Sequence, residues 1–423
     1  MQTKNSKFLA KGTYGCVFYP SINACSGKIE TDLDSDHYIT KIQKYVPNED
    51  EEVVIGKQIQ TLPLYDHYFA PVVKSCKMNI AHMDYNLVRT CATLQNELGE
   101  LNNKSAYVSN TIRYVGKHNI TKYLQSLKSN PQKLYSKLIN THLHLLDALQ
   151  ILESENIVHF DIKPQNVMYD EIQDIPIVID FGLSRSITPL LSAPFSSIRN
   201  ANISSRSERT ERYRTHSGES VSKDFEQLMR HTFASYDTYD YWCIDIYILS
   251  NIGSTTYLKP YQVVNVGQIN ALLRGFMTPI FLAILSGEEI YHFKQRVLDY
   301  FLHFIQERQT WMDVFRELIQ NHSKWDNYSA AITYLYSYIK VKPNESSISY
   351  IKSNIREPVE IQQYLSLLKN IVIAMPDERP LAKETQKNIR EIFGYYSHET
   401  EYMIANEDED EDADYDDLFI DNI

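Results

Sequence analysis

The segment Ile157–Val167, IVHFDIKPQNV, constrains this chain more than any other stretch. Apolar residues at both ends need a core to anchor them, while Asp161, Lys163 and Asn166 lie between. Beyond Asn166 the run IVIDFG (177–182) reads as a short buried strand with a carboxylate at its end, Asp180, fourteen residues after Asn166. Two carboxylates, an amide and an ammonium in this order suit phosphoryl transfer. One carboxylate orients an attacking hydroxyl. The amide oxygen and the second carboxylate hold Mg²⁺, and the lysine neutralises charge on the transferred group. Taken singly, each residue has a plainer reading, such as a turn Asp after a His.

The rest of the chain gives this loop a setting. Residues 8–19 (FLAKGTYGCVFY) read as strand, glycine turn and strand, and 37–44 (HYITKIQK) alternate like a half-buried strand. Pro20–Asp36 is polar and turn-rich. Glu51–Leu62 places Ile55, Ile59 and Leu62 at helical spacing before Pro63. Asp84–Thr90 and Ala106–Val115 read as strands with a polar insertion between them. Gln132–Glu155 is a long amphipathic helix, and Asp240–Phe393 reads as several more. A strand-rich first part and a helix-rich second part predict an α+β protein of two lobes.

Composition narrows the partners. The net charge of −12 excludes a general nucleic-acid binder, because phosphate contacts need clustered Lys and Arg. Nine carboxylates fall within Glu407–Asp417, which reads as a solvated acidic tail, with a basic partner surface as the lesser alternative. Ser192–Ser222 holds nine serines and five arginines and reads as a loop with little to bury. Five cysteines without a CxxC pair suggest reduced thiols and a cytoplasmic setting rather than a zinc site or disulfide framework. Phe276–Leu285 is apolar but too short to span a bilayer, so no membrane partner is expected.

HFDIKPQN followed by DFG resembles the eukaryotic-type protein kinases, whose motif pair is H-R-D-L-x-x-x-N and D-F-G. The resemblance implies a bilobal kinase fold: a β-rich lobe over 1–115, a helical lobe over 116–395 with an activation segment at about 183–236, and a tail over 396–423. It implies that Asp161 is the catalytic base, that Lys163 contacts the γ-phosphate, and that Asn166 and Asp180 bind Mg²⁺. Ala10-Lys11-Gly12-Thr13-Tyr14-Gly15-Cys16-Val17 resembles the glycine-rich ATP loop G-x-G-x-x-G-x-V, with Ala10 in place of the first glycine. Lys41, with Lys44 as a rival, fills the place of the V-A-I-K lysine. Glu52 is its expected partner, and Glu49 and Glu51 remain open. Thr111–Gly116 resembles the connector whose backbone, at Arg113 and Val115, meets the adenine that Ile112 flanks. Asp240 in DYWCID would cap the catalytic loop from below, and Arg379 in PDERP would pair with an acidic residue for which Glu226 is a candidate.

Lys163 is similar to serine/threonine rather than tyrosine kinases, and the run GTYGCVFYPSINAC resembles kinases encoded by large DNA viruses. ATP, Mg²⁺ and protein hydroxyls are the implied cofactors and partners, in a cell's cytoplasm or, for a viral protein, a virion. Phe160 stands where many kinases have an Arg that holds a phosphorylated activation loop. Phe160 cannot bind phosphate, so control through that residue is not expected. The Ser/Arg-rich loop is expected to carry autophosphorylation sites. Two alternatives stand beside the kinase reading: a pseudokinase scaffold, and a small-molecule kinase, which usually lacks Lys at the Asp161+2 position and a DFG.

Overall fold

A computed structural model of the chain describes residues 6–11, 15–22, 35–45, 51–80, 83–92, 94–95, 107–192, 223–233, 239–253, 258–341 and 357–394. Gly12, most of the Ser/Arg-rich run and the acidic tail lie outside the described residues.

The first part is an antiparallel sheet ordered β1 (Lys7–Lys11), β2 (Gly15–Tyr19), β3 (Tyr38–Lys44), β6 (Tyr107–Arg113) and β5 (Val72–Met78), while β4 (Phe69–Ala70) pairs outside it with a later strand. The strand expected over Asp84–Thr90 is instead a short helix, Tyr85–Arg89, which Asp84 caps by accepting from the Asn86 amide. The strand that the reading missed is β5, whose polar and charged residues (VVKSCKM) mask its pattern. That short helix covers the outer face of the sheet. Leu87, Val88, Cys91 and Leu94 pack with Cys16, Phe18, Ile42 and Tyr107 in a small apolar cluster.

The cysteines depart from expectation. Cys16 and Cys91 are disulfide-bonded, with their Cα atoms 6.3 Å apart, and Cys76 is also bonded. Cys16 and Cys76 fall in one cross-strand row through Ile42 and Ser109. Among the described residues only Cys243 is free.

Below the sheet, a second core gathers the helices. Helices of nine or more residues among the described residues are α1 (Glu51–Gln60), α2 (Pro131–Ser154), α3 (Lys223–Thr232), α4 (Ile244–Gly253), α5 (Val266–Phe276), α6 (Gly287–Tyr300), α7 (Trp311–Ile319), α8 (Trp325–Val341), α9 (Val359–Ile373) and α10 (Ala382–Ile392). The architecture is α+β and bilobal, the protein-kinase fold that the motifs imply. Phe276–Leu285 splits at Pro279 into the end of α5 and a short capped helix. No helix among the described residues is long and apolar enough to cross a membrane.

Helix α8 sits at the centre of this part, with nearly every residue buried. Asp326, Ser329 and Thr333 form a stripe along one face, at the i, i+3, i+7 spacing of a helix. The Asp326 carboxylate accepts from the His159 amide at 2.7 Å and the Phe160 amide at 3.1 Å. The Ser329 hydroxyl donates to the Tyr241 carbonyl (2.8 Å) and that of Thr333 to the Ile162 carbonyl (3.4 Å). The cap expected from Asp240 therefore comes from Asp326. Asp240 instead accepts from the Ile280 amide at 3.3 Å.

A second buried polar link ties α4 to the last helices. Both Arg379 guanidinium Nη atoms donate to Asp245 at 3.1 Å, and the Trp325 indole donates to the same carboxylate at 3.1 Å. Asp245 is thus the partner of Arg379; the side chain of Glu226, the candidate from the sequence, lies outside what the structure describes. Both charges are almost fully enclosed. Truncating one partner strands the other. Asp245→Ala is expected to cost about 3–5 kcal/mol, read as a lower urea midpoint at unchanged m-value.

Candidate active site

The loop that carries Asp161 hangs between two short pairings. Ile157–Val158 (β7) pairs with Arg185–Ser186 (β10), and the loop then closes in a 3₁₀ turn, Pro164–Asn166. The hairpin β8 (Val167–Asp170) and β9 (Ile175–Ile179) follows, with Val167 opposite Val178. That register sets Asn166 and Asp180 at the same end of one hairpin. Sequence spacing alone separates them by fourteen residues; the hairpin brings them together.

Asp161 is the hub of the loop. Asn166 Nδ2 donates to Asp161 Oδ2 at 2.7 Å and to the Asp161 carbonyl at 3.0 Å. The Lys163 ammonium lies 2.9 Å from the same carboxylate. Burial pushes Asp161 up to about 6, against the pull of Lys163 and Asn166. His159 beneath it is neutral. Burial holds its imidazole down near about 4. Its Nδ1 accepts from the Asp161 amide (3.2 Å) and its Nε2 donates to the Ile179 carbonyl (3.2 Å), which fixes the tautomer.

The second constellation comes from the sheet. Ala10, Val17, Lys41 and Asn110 are register partners across four strands and share one face. The Lys41 ammonium donates to Glu52 Oε1 and to Asp180 Oδ1, each at 2.8 Å. Glu52 faces inward because it shares the α1 stripe with Ile55 and Ile59. Neighbouring Glu51 instead meets His231 of α3 at 3.4 Å. Glu52 Oε2 accepts from Gln43 (3.4 Å) and Asn110 (3.5 Å). Burial opposes the Lys41 charge, but Glu52 and Asp180 outweigh it and raise its pKa. Asp180 in turn is held below the usual carboxylate range by Lys41, against burial.

Gly15 has a packing reason of its own. A Cβ there would come 2.1 Å from the Ile42 carbonyl oxygen on β3. Arg113 ends β6, with its side chain on Asp170 (3.4 Å) and the Asp66 carbonyl, and Val115 packs against Ile112, Ala70 and Val72.

Phe160 has φ 62° and is buried, with its ring 5.8 Å from Phe233 and 5.7 Å from Trp325. Phe233 and Phe225 also pack on Phe315 of α7. An aromatic cluster occupies the place where an arginine was the family expectation.

Sequence reasoning missed Asp326, Asn110, Gln43 and Tyr239. The Tyr239 hydroxyl donates to Asp161 Oδ1 and lies 3.3 Å from Lys163 Nζ.

Residues 41–217 match a family model described as the protein kinase domain, less than half of the chain. The chain is 54% identical over 46 residues to the death-associated protein kinase dapk-1 of Caenorhabditis elegans, covering 11% of this chain and 3% of that protein. It is 34% identical over 67 residues to the serine/threonine-protein kinase mos of Patiria pectinifera, covering 15% of this chain and 19% of that protein. The chain thus spans under a fifth of the length of these curated relatives.

The neutral His159 makes a pH prediction. Its ring resonances are expected to stay flat in an NMR titration from pH 8 down to about 5. The fold should lose stability as pH falls from 6.5 towards about 4, because the unfolded chain takes up a proton that the folded imidazole refuses. An imidazole titrating near its ordinary value would contradict the hydrogen-bond arrangement.

Proposed function

We propose that this chain transfers the γ-phosphate of ATP to serine and threonine hydroxyls of proteins, with Mg²⁺ as the metal. One observation carries the reading. Lys41, Glu52 and Asp180 are joined in one ion-paired group, while Asp161, Lys163 and Asn166 form a second group at the end of the same hairpin. A scaffold that had shed its chemistry would have no need to keep both groups assembled. The kinase-domain match and the kinases among its relatives support the same reading.

The residues divide the work. Lys41, held by Glu52, is placed to neutralise phosphate oxygens of the nucleotide. Ala10, Gly12, Gly15 and Val17 belong to the hairpin over those phosphates, and Arg113 and Val115 to the adenine edge. Asn166 donates through Nδ2 to Asp161, so its carbonyl oxygen is the end that faces a ligand. With an Asp180 carboxylate oxygen it forms a hard oxygen donor pair that fits Mg²⁺, which takes few protein ligands beside phosphates. When bound, the metal would neutralise charge developing on the phosphates. Asp161 receives the proton of the attacking hydroxyl, and Lys163 steadies charge on the transferred group. Lys163 supports the serine/threonine preference. The early run GTYGCVFYPSINAC supports a relation to kinases of large DNA viruses, acting in a host cytoplasm or virion.

Regulation follows from Phe160. Its aromatic contacts hold α3 without a phosphate, so phosphorylation is not required at that point.

Two outcomes are expected. Asp161→Asn should lower phosphorylation of a generic protein substrate by roughly 10²–10⁴-fold. Wild-type kcat/KM should fall as pH drops below about 6, where Asp161 takes up a proton. Transfer that is indifferent to Asp161→Asn would end the reading. Separately, phosphatase-treated protein should keep full activity; activity that returns only after rephosphorylation of residues 193–222 would end the proposed independence from phosphate.

A further inference from the structure

Asn110 stands where an amide side chain is costly. It lies on β6, between β3 and β5, and is 1% exposed. Asn is disfavoured inside strands, and a buried amide costs free energy unless its hydrogen bonds are made. Strand register decides what it meets. Lys41 on β3 is opposite Asn110, and Asn110 is opposite Ser75 on β5, so the three side chains leave the same face of the sheet. Gln43, two residues along β3 from Lys41, shares that face. Glu52 of α1 meets this polar row.

The row is ordered from its Ser75 end. The Ser75 hydroxyl donates to Asn110 Oδ1 at 2.7 Å, so the Nδ2 end of the amide turns the other way, to Glu52 Oε2 at 3.5 Å. Only that orientation serves, since a carboxylate accepts and does not donate. Gln43 Nε2 donates to the same oxygen at 3.4 Å, and the Lys41 ammonium holds Oε1 at 2.8 Å. Glu52 is 4% exposed, so its carboxylate depends on these groups rather than on solvent. All three donors stand on the sheet, not on α1. The direction of Glu52 is therefore set by strand register.

We propose that Asn110 is a positioning residue: clamped by Ser75, its amide turns the Glu52 carboxylate toward Lys41 and so holds α1 where Lys41 can meet nucleotide phosphates. This inference rests on the kinase reading above. Asn110 acts through Glu52 rather than on the nucleotide. Without its amide, Oε2 keeps Gln43 alone, and the carboxylate gains freedom to turn about its Cγ–Cδ bond. With it, α1 is docked by contacts made on folding, and its place does not wait for a second chain or a phosphate.

The test compares Asn110→Leu, Glu52→Ala and the double variant in the full chain. ATP affinity is measured by calorimetry with Mg²⁺, and transfer is measured on a generic serine peptide. A wild type that neither binds ATP nor phosphorylates the peptide would overturn the kinase reading and this inference with it. With active wild type, Asn110→Leu is expected to weaken ATP binding roughly three- to tenfold, as for loss of a long hydrogen bond to a charged group. It should lower kcat as well and leave KM for the peptide unchanged. The double variant decides. Because Asn110 acts through the Glu52 carboxylate, its loss should cost less than about twofold once Glu52 is gone. An equal loss of affinity in both backgrounds marks packing alone and overturns the proposal, as does wild-type affinity in Asn110→Leu. Should Asn110→Leu fail to fold, Ser75→Ala takes its place. It frees the amide to turn over and should weaken ATP binding about two- to threefold; unchanged affinity there overturns the proposal.

Discussion

Two consecutive backbone amides, those of His159 and Phe160, point into the helical core, and the Asp326 carboxylate meets both. Unpaired, each would carry the desolvation cost of a buried donor, about 1–3 kcal/mol. The positive φ of Phe160 lets successive amides converge on one carboxylate, as in other anion-holding turns. The arrangement is not cheap for Asp326, which burial pushes up to about 7 against the pull of those same amides. What it achieves is a fixed origin. Asp161 is the next residue, and its direction follows from two peptide planes pinned by a side chain 167 positions away from His159 in sequence.

The local parts of the site were legible because each is written in a short window. HFDIKPQN and DFG declare their polar residues against apolar neighbours. Alternation along Tyr38–Lys44 points Lys41 to one face, and the Glu52–Ile55–Ile59 stripe turns Glu52 toward it. The supports were not legible, because they are contacts between distant segments. Asp240 attracted the capping role through its proximity to Trp242, yet the helix that carries the cap begins at Trp325, where Asp follows Trp directly. Tyr239 gave no signal, since a tyrosine in an aromatic-rich run reads as packing. The cysteine reading failed for a related reason. Cys16 and Cys91 stand 75 residues apart, and only the fold of the sheet under its covering helix makes them neighbours.

Phe160 shows how one substitution relative to the family pattern changes the kind of force at a site. An arginine there would hold its partner by charge, conditional on a modification. Here the contacts run from Phe160 to Phe233 and Trp325, and on to Phe315. Apolar contact of this sort is present from the moment of folding and is little affected by salt. The link from α3 to α1 is different in character: His231 and Glu51 are both partly exposed, so that pair adds little.

The two buried polar links also bear on where this protein can be divided. The family match stops at residue 217, past every side chain assigned to the chemistry. Asp326, Asp245, Arg379, Ser329 and Tyr239 all lie beyond it. A fragment trimmed to the recognisable span would hold Lys41, Asp161, Lys163, Asn166 and Asp180 but lose Asp326, Ser329, Tyr239 and the Asp245–Arg379 pair. The His159 and Phe160 amides would face water, and the carboxylate of Asp161 would be free to turn. In this chain the recognisable sequence and the smallest span that holds the Asp161 loop in place are different lengths, and the later helices make up the difference.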